Sequence, residues 1–175
     1  MVSGLFSFMK TITLGGLGGK HYALVDDEDY DRVNQISWTC VRRGKRLYAK
    51  HDSRGPYMHR FILNLTAGQI CDHRNHNGID NQKKNLRLCT NAQNNRNQRP
   101  GRKQIKTSKY KGVYFSDGYW KFQITYNRQK IGTSVPNEHV AALMYDFWAT
   151  YLFGEYACTN FKIVAHSGAE EILRA

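Results

Sequence analysis

Along the chain, stretches of alternating apolar and polar positions are interrupted by an asparagine-rich polar belt. From His21 to about Leu65, aromatic and β-branched residues mix with turn formers, as in YALVDDEDYDRV and ISWTCVRRGKRLYAKHDSRGPYMHRFIL. The runs WTCVR and RLYAKHD are parted by Arg43-Gly44-Lys45, which predicts a β-hairpin. His59 falls in a further strand-like run. From Gly68 to Gln98 apolar residues are few, and Asn and Gln recur among Asp72, His73, His76 and Asp80.

Beyond the belt, YKGVYF, YWKFQITYN and QKIGTSV read as strands separated by Ser116-Asp117-Gly118 and Asn127-Arg128, both suited to tight turns. Side chains alternate across a strand, so Trp120, Phe122, Ile124 and Tyr126 share one face, and Lys121, Gln123, Thr125 and Asn127 the other. A helix follows from about Glu138 to Phe153. Asn137 can cap it after Pro136, and Gly154 stands where a C-terminal glycine ends a helix. Val140, Met144, Trp148 and Leu152 recur every fourth position, with Leu143, Phe147 and Tyr151 beside them, which predicts a broad apolar face laid on the sheet.

The stretch QRPGRKQIKTSKYKG, with Pro100 and Gly101 inside a basic run, is the best linker in the chain. The expected order is a flexible lead-in (1–20), a first domain (21–98), a basic linker (99–108), a second domain (109–162) and a loose tail (163–175). The fold class is α+β, the second domain being a three-stranded antiparallel sheet packed on one helix.

Charge narrows the partner. The 175 residues carry 26 Lys and Arg against 14 Asp and Glu, a net charge of +12, which points to a polyanion, nucleic acid first. A ribosomal-type structural protein and a membrane-surface protein are the bland alternatives, but no RNA-type aromatic motif is present. No uncharged apolar run reaches about 18 residues, so no membrane-spanning helix is expected. The first residues lack the charged and apolar regions of a signal peptide. The 4 cysteines form no C-x-x-C pair, against a zinc ribbon or a disulfide framework and in keeping with a reducing, intracellular setting. No protein partner is implied.

The chemistry concentrates in CDHRNHNGIDNQKKNLRLCTNAQNNRN. Hydrolysing a phosphodiester needs a base to deprotonate water and a cation to neutralise the charge growing on the phosphate. His73 has the right ordinary pKa for the base, and an Asn carbonyl accepting its other ring N–H would fix the tautomer. Asp72 with a downstream Asn carbonyl suits magnesium, which prefers oxygen donors; zinc would want more Cys or His. Adjacent strand residues point to opposite faces, so Asp72 and His73 share a site only at a bulge or near a strand edge.

This segment resembles the HNH endonuclease family in its Asn-for-His form, found in phage and homing endonucleases. The matching positions are Asp72-His73, Asp80-Asn81, Asn85-Leu86-Arg87 and Gln93-Asn94, with Asn97 behind. The resemblance implies a ββα-metal module with Asp72 and Asn94 as metal ligands, His73 as general base and Asn85 as the residue orienting it. Spacing leaves Asn95 and Asn97 as alternatives to Asn94. The C-terminal text YKGVYF, YWKFQI, KIGTS, AALMYDFWATYLFG and TNF resembles the DNA-binding domain of plant ethylene-response factors (the APETALA family). On that resemblance Lys111, Tyr114, Gln123, Thr125, Arg128 and Lys130, joined by Lys121 on the same polar face, are the DNA contacts. Together they imply a metal-dependent endonuclease acting on double-stranded DNA, in a bacterial host's cytoplasm if phage-encoded. The rival is a non-catalytic DNA-binding regulator that keeps the same fold.

Overall fold

Period-two alternation in MKTITL, with Ile12 and Leu14 inward and the threonines outward, makes a strand of a segment expected as lead-in. This is β1 (Met9–Leu14), paired antiparallel with β2 (His21–Asp26), and Ile12 and Leu14 are 3% and 2% exposed. The computed structural model describes residues 9–52, 54–99 and 107–161. Most of the expected linker, and the expected tail, lie outside them. The molecule is α+β with small antiparallel sheets, and it divides into two compact units, Met1–Asn94 and Asn95–Ala175.

In the first unit, β2 runs into α1 (Asp27–Asn34), whose first turn carries Asp27, Glu28 and Asp29 against the positive end of the helix dipole. Arg32 in its last turn donates to Asp29 Oδ1 (2.8 Å) and to the carbonyls of Phe61 and Ile62 (3.3 and 3.1 Å). That fixes α1 to α2 (Met58–Ile62), the element that carries His59 in place of the expected strand. The predicted hairpin is present as β3 (Thr39–Arg43) and β4 (Arg46–Lys50). A third hairpin pairs β5 (Ile70–His73) with β6 (Leu86–Cys89), and α3 (Asn91–Arg96) follows it. The division between the units falls inside α3, just before the expected linker.

Ile12, Leu14, Val25, Val33, Trp38, Met58, Ile62 and Leu86 form the first core, so each of the three hairpins contributes to it or packs on it. The loop joining β5 to β6 is sewn back onto β2. Leu24 N donates to Ile79 O and Asn81 N to Leu24 O, both at 2.8 Å, while Lys83 N donates to Asp26 Oδ2 (2.7 Å), 57 positions away.

The second unit is a meander, β7 (Val113–Ser116), β8 (Tyr119–Tyr126) and β9 (Gln129–Val135), with α4 (Glu138–Phe153) on one face. Asn137 caps α4, its Oδ1 accepting from Val140 N at 2.9 Å. Phe122 and Ile124 face the helix as alternation required. The helix face is the expected one only in part: Met144, Trp148 and Leu152 pack on the core, but the row beside them does not. Ala141, Ala142, Tyr145 and Ala149 are buried against the sheet, and Leu143, Phe147 and Tyr151 are exposed. Alanines let helix and sheet approach closely, a seam that a row of large residues would prop open. Gly112 (φ +71°) belongs to the same seam: a Cβ there would fall inside the Tyr145 ring.

Candidate active site

Asp72 and His73 lie at the end of β5, with no bulge. Asp72 is in register with Arg87 and His73 with Leu86 across the hairpin. Strand geometry sends the two side chains to opposite sides. Asp72 turns to Arg87, whose Nη2 stands 2.9 Å from Oδ2, both side chains about 5% exposed. His73 turns towards aromatic rings: Tyr48 edge-on at 5.9 Å between centroids and His59 edge-on at 4.9 Å. They remain close enough for the Asp72 charge to favour protonation of the His73 ring.

The tautomer of His73 follows from its neighbours. Asn81 is 1% exposed, and its amide NH2 donates to the Met58 thioether (3.4 Å), which can only accept. Its Oδ1 therefore points to His73 Nε2 (3.3 Å) and must accept, so Nε2 carries the hydrogen and Nδ1 the lone pair. Burial holds the His73 pKa below the ordinary imidazole value, against the opposing pull of Asn81, Asp72 and Asp80. A neutral imidazole with a defined lone pair is what a general base requires.

Asn85, expected on the ring of His73, does something else. Its Nδ2 donates to Asp80 O (2.7 Å) and its Oδ1 accepts from Asn75 N (3.0 Å). It closes the loop that delivers Asn81, and a bond from Asn75 Nδ2 to Asp80 Oδ2 (2.7 Å) tightens the same loop. Asn81 was quoted in the motif but given no role, since which amide in an asparagine-rich loop reaches the ring depends on irregular backbone. Asn94 is half-buried on α3, its backbone N–H bonded to Thr90 O (2.9 Å). Asn97, in the second unit, is 3% exposed.

His59 is the residue whose place the sequence did not disclose. It stacks on Tyr57 at 5.5 Å, meets His73 edge-on, and its Nδ1 is shut off from water without a hydrogen-bond partner. Burial lowers its pKa to about 3, helped by the charge of Arg60 and, once it is protonated, by that of His73. A histidine whose folded-state pKa lies below the unfolded 6.5 gives stability that is full above pH 6.5 and lost as pH falls towards 3. His59 alone is expected to cost about 1.4 kcal/mol for each pH unit below 6.5. Urea unfolding at pH 7.5 and 5.5 measures it, and His59→Phe should reduce the difference, leaving the share that His73 contributes.

Among the described residues, no cluster of three or more His, Cys, Asp or Glu is gathered for a metal ion. The Asp72 carboxylate is a hard oxygen donor, which suits magnesium or manganese better than zinc.

No protein-family model and no solved structure matches the chain. A curated relative does: an uncharacterized HNH endonuclease of Acanthamoeba polyphaga mimivirus, 31% identical over 159 residues, a span covering 85% of this chain and 79% of the relative. The chain belongs to the HNH endonuclease family. A match of that length runs through both units, so this HNH protein shares with its relative more than the site-bearing hairpins.

The remaining expected residues of the HNH protein lie in the second unit. Tyr114, Gln123 and Lys130 line a groove on the open face of the sheet together with Lys121 and Thr133. Lys121 is locally balanced, its Nζ 2.6 Å from Asp117 Oδ2. Thr125, Arg128 and Lys130 are exposed at the β8–β9 end. Lys111, expected on this face, instead sends its ammonium to the carbonyls of Arg96 (2.6 Å) and Gln98 (2.7 Å), where burial lowers its pKa.

Proposed function

We propose that this HNH protein is a metal-dependent endonuclease that hydrolyses phosphodiester bonds of double-stranded DNA. The observation that carries the reading is the buried pair at the end of β5: a neutral His73 whose lone pair is set by Asn81, and, one residue earlier on the other side of the strand, the Asp72 carboxylate. On this reading β5, β6 and α3 are the ββα-metal module, and Asp72 with Asn94 holds the cation. When bound, magnesium or manganese neutralises charge on the phosphate and on the departing 3′ oxygen.

The chain's own residues supply the rest. His73 Nδ1 takes a proton from water, whose oxygen attacks phosphorus as the bond to the 3′ oxygen breaks. Asn81 keeps the imidazole in the competent tautomer, and Asn85 keeps the loop closed so that Asn81 stays in reach. The open face of the second unit, as a domain of ethylene-response-factor type, binds the duplex through Tyr114, Lys121, Gln123, Thr125, Arg128 and Lys130; a β-sheet can enter the major groove. The excess positive charge supports this part of the reading.

Incubation of pure protein with supercoiled plasmid and magnesium, manganese or EDTA tests it, beside an Asp72→Ala, His73→Ala double variant. The expected result is open-circle or linear DNA that requires metal and disappears in the variant. Binding of the plasmid without any product would favour the regulator that keeps only the fold.

A further inference from the structure

Arg87 is unusual company for a metal ligand. It sits directly across the hairpin from Asp72, its guanidinium hydrogen-bonded to the carboxylate, and neither side chain reaches solvent beyond 6%. A carboxylate buried without a counter-charge is strongly unfavourable, so some cation must accompany Asp72 whenever the protein is folded. A guanidinium held by the sheet's own register meets that need in the absence of metal. It also creates a conflict, because a divalent ion taken up by Asp72 would lie within a few ångströms of a fixed positive charge, in surroundings that screen poorly.

We propose that Arg87 is the resident counter-ion of Asp72: it stabilises the carboxylate before metal binds, competes with the divalent ion for it, and keeps the protein's own metal affinity low. Rising affinity on DNA follows, since phosphate oxygens supply both further ligands and the negative charge that offsets Arg87. Metal and substrate would thus load together. Arg87 is a positioning residue here, too buried to meet DNA itself. The inference rests on the reading of Asp72 as a metal ligand.

The test is manganese binding to the full-length protein without DNA, by isothermal titration calorimetry. Arg87→Met and Arg87→Gln remove the charge and should bind manganese about ten-fold more tightly than the parent or better. Arg87→Lys restores the charge and should return the affinity to within about threefold of the parent, a rescue that a packing role would not produce. Adding Asp72→Asn to Arg87→Met should abolish the gain. Neutral variants that bind manganese no more tightly than the parent would overturn the proposal. If they fold only in the presence of manganese, the competition is shown directly; if manganese does not restore an unfolded neutral variant, the proposal fails. Binding that is indifferent to Asp72→Asn in every background removes Asp72 from the metal site, and then the metal-ligand reading fails first.

Discussion

Replacing His73 by alanine should lower the rate of DNA cleavage by about a thousandfold at saturating DNA, the middle of the range for losing a general base. Affinity for duplex DNA, measured by gel shift in EDTA, should change by no more than roughly twofold, because the proposed DNA-binding face belongs to the second unit. Removing the ring also takes an edge-on neighbour from Tyr48 and His59. A thermal melt of the variant separates that packing loss from loss of the base. Equal losses in cleavage and binding would refute the division of roles. Asn81→Ala is the sharper companion: it leaves the imidazole in place but lets either nitrogen carry the hydrogen, so a fall in rate with a nearly unchanged melt would mark Asn81 as the residue that sets the tautomer.

The second large effect is expected at a glycine. Gly78 is buried where the loop between β5 and β6 passes over β4, and a Cβ there would enter the space of Leu47 O and the Tyr48 ring. A backbone carbonyl in a paired strand cannot step aside, so Gly78→Ala must lift the loop or turn Tyr48. Either movement disturbs His73, because Tyr48 stands against its ring and the loop carries Asn81. Overpacking of this kind costs about 3 kcal/mol, readable as a lower urea midpoint, and cleavage should fall with it. An alanine variant as stable and as active as the parent would mean that the loop is not held as described.

What the sequence disclosed follows a physical line. Alternation along Trp120–Asn127 set the faces of β8 because a half-buried strand has a strict period, and Asn137 and Gly154 bounded α4 because caps are local chemistry. The lead-in expectation failed at Met9–Leu14 because so short a strand has only two inward positions, Ile12 and Leu14, and its pairing with β2 rather than its own pattern makes it a strand. On α4 the periodic row Met144, Trp148 and Leu152 packs on the core, but apolar periodicity does not reveal how near a helix lies to its sheet, and close packing selected Ala141, Ala142 and Ala149 over Leu143 and Phe147. At the site, Asp72 and His73 stood out as chemistry, whereas the tasks of Asn81, Asn85 and Arg87 depend on a non-periodic loop and on register. His59 read as part of a strand because nothing in its own neighbourhood predicts that α2 brings it against His73.

Every sheet pairs strands that are neighbours in sequence, so most pairing is local and should form quickly. The longest-range exceptions among the described residues of the first unit are the ties from Leu24 and Asp26 to Ile79, Asn81 and Lys83, which close a segment of more than fifty residues; Gly15 is tied to Trp38 and Cys40 over a shorter span. Loop closure of that length comes after the hairpins in any economical folding route. Since the same ties seat Asn81, the proposed general base would be completed by the slowest contact in its unit. On the proposed function, a chain in synthesis that has made its hairpins but not this closure would carry the side chains proposed for catalysis and yet be unable to cut the nucleic acid around it.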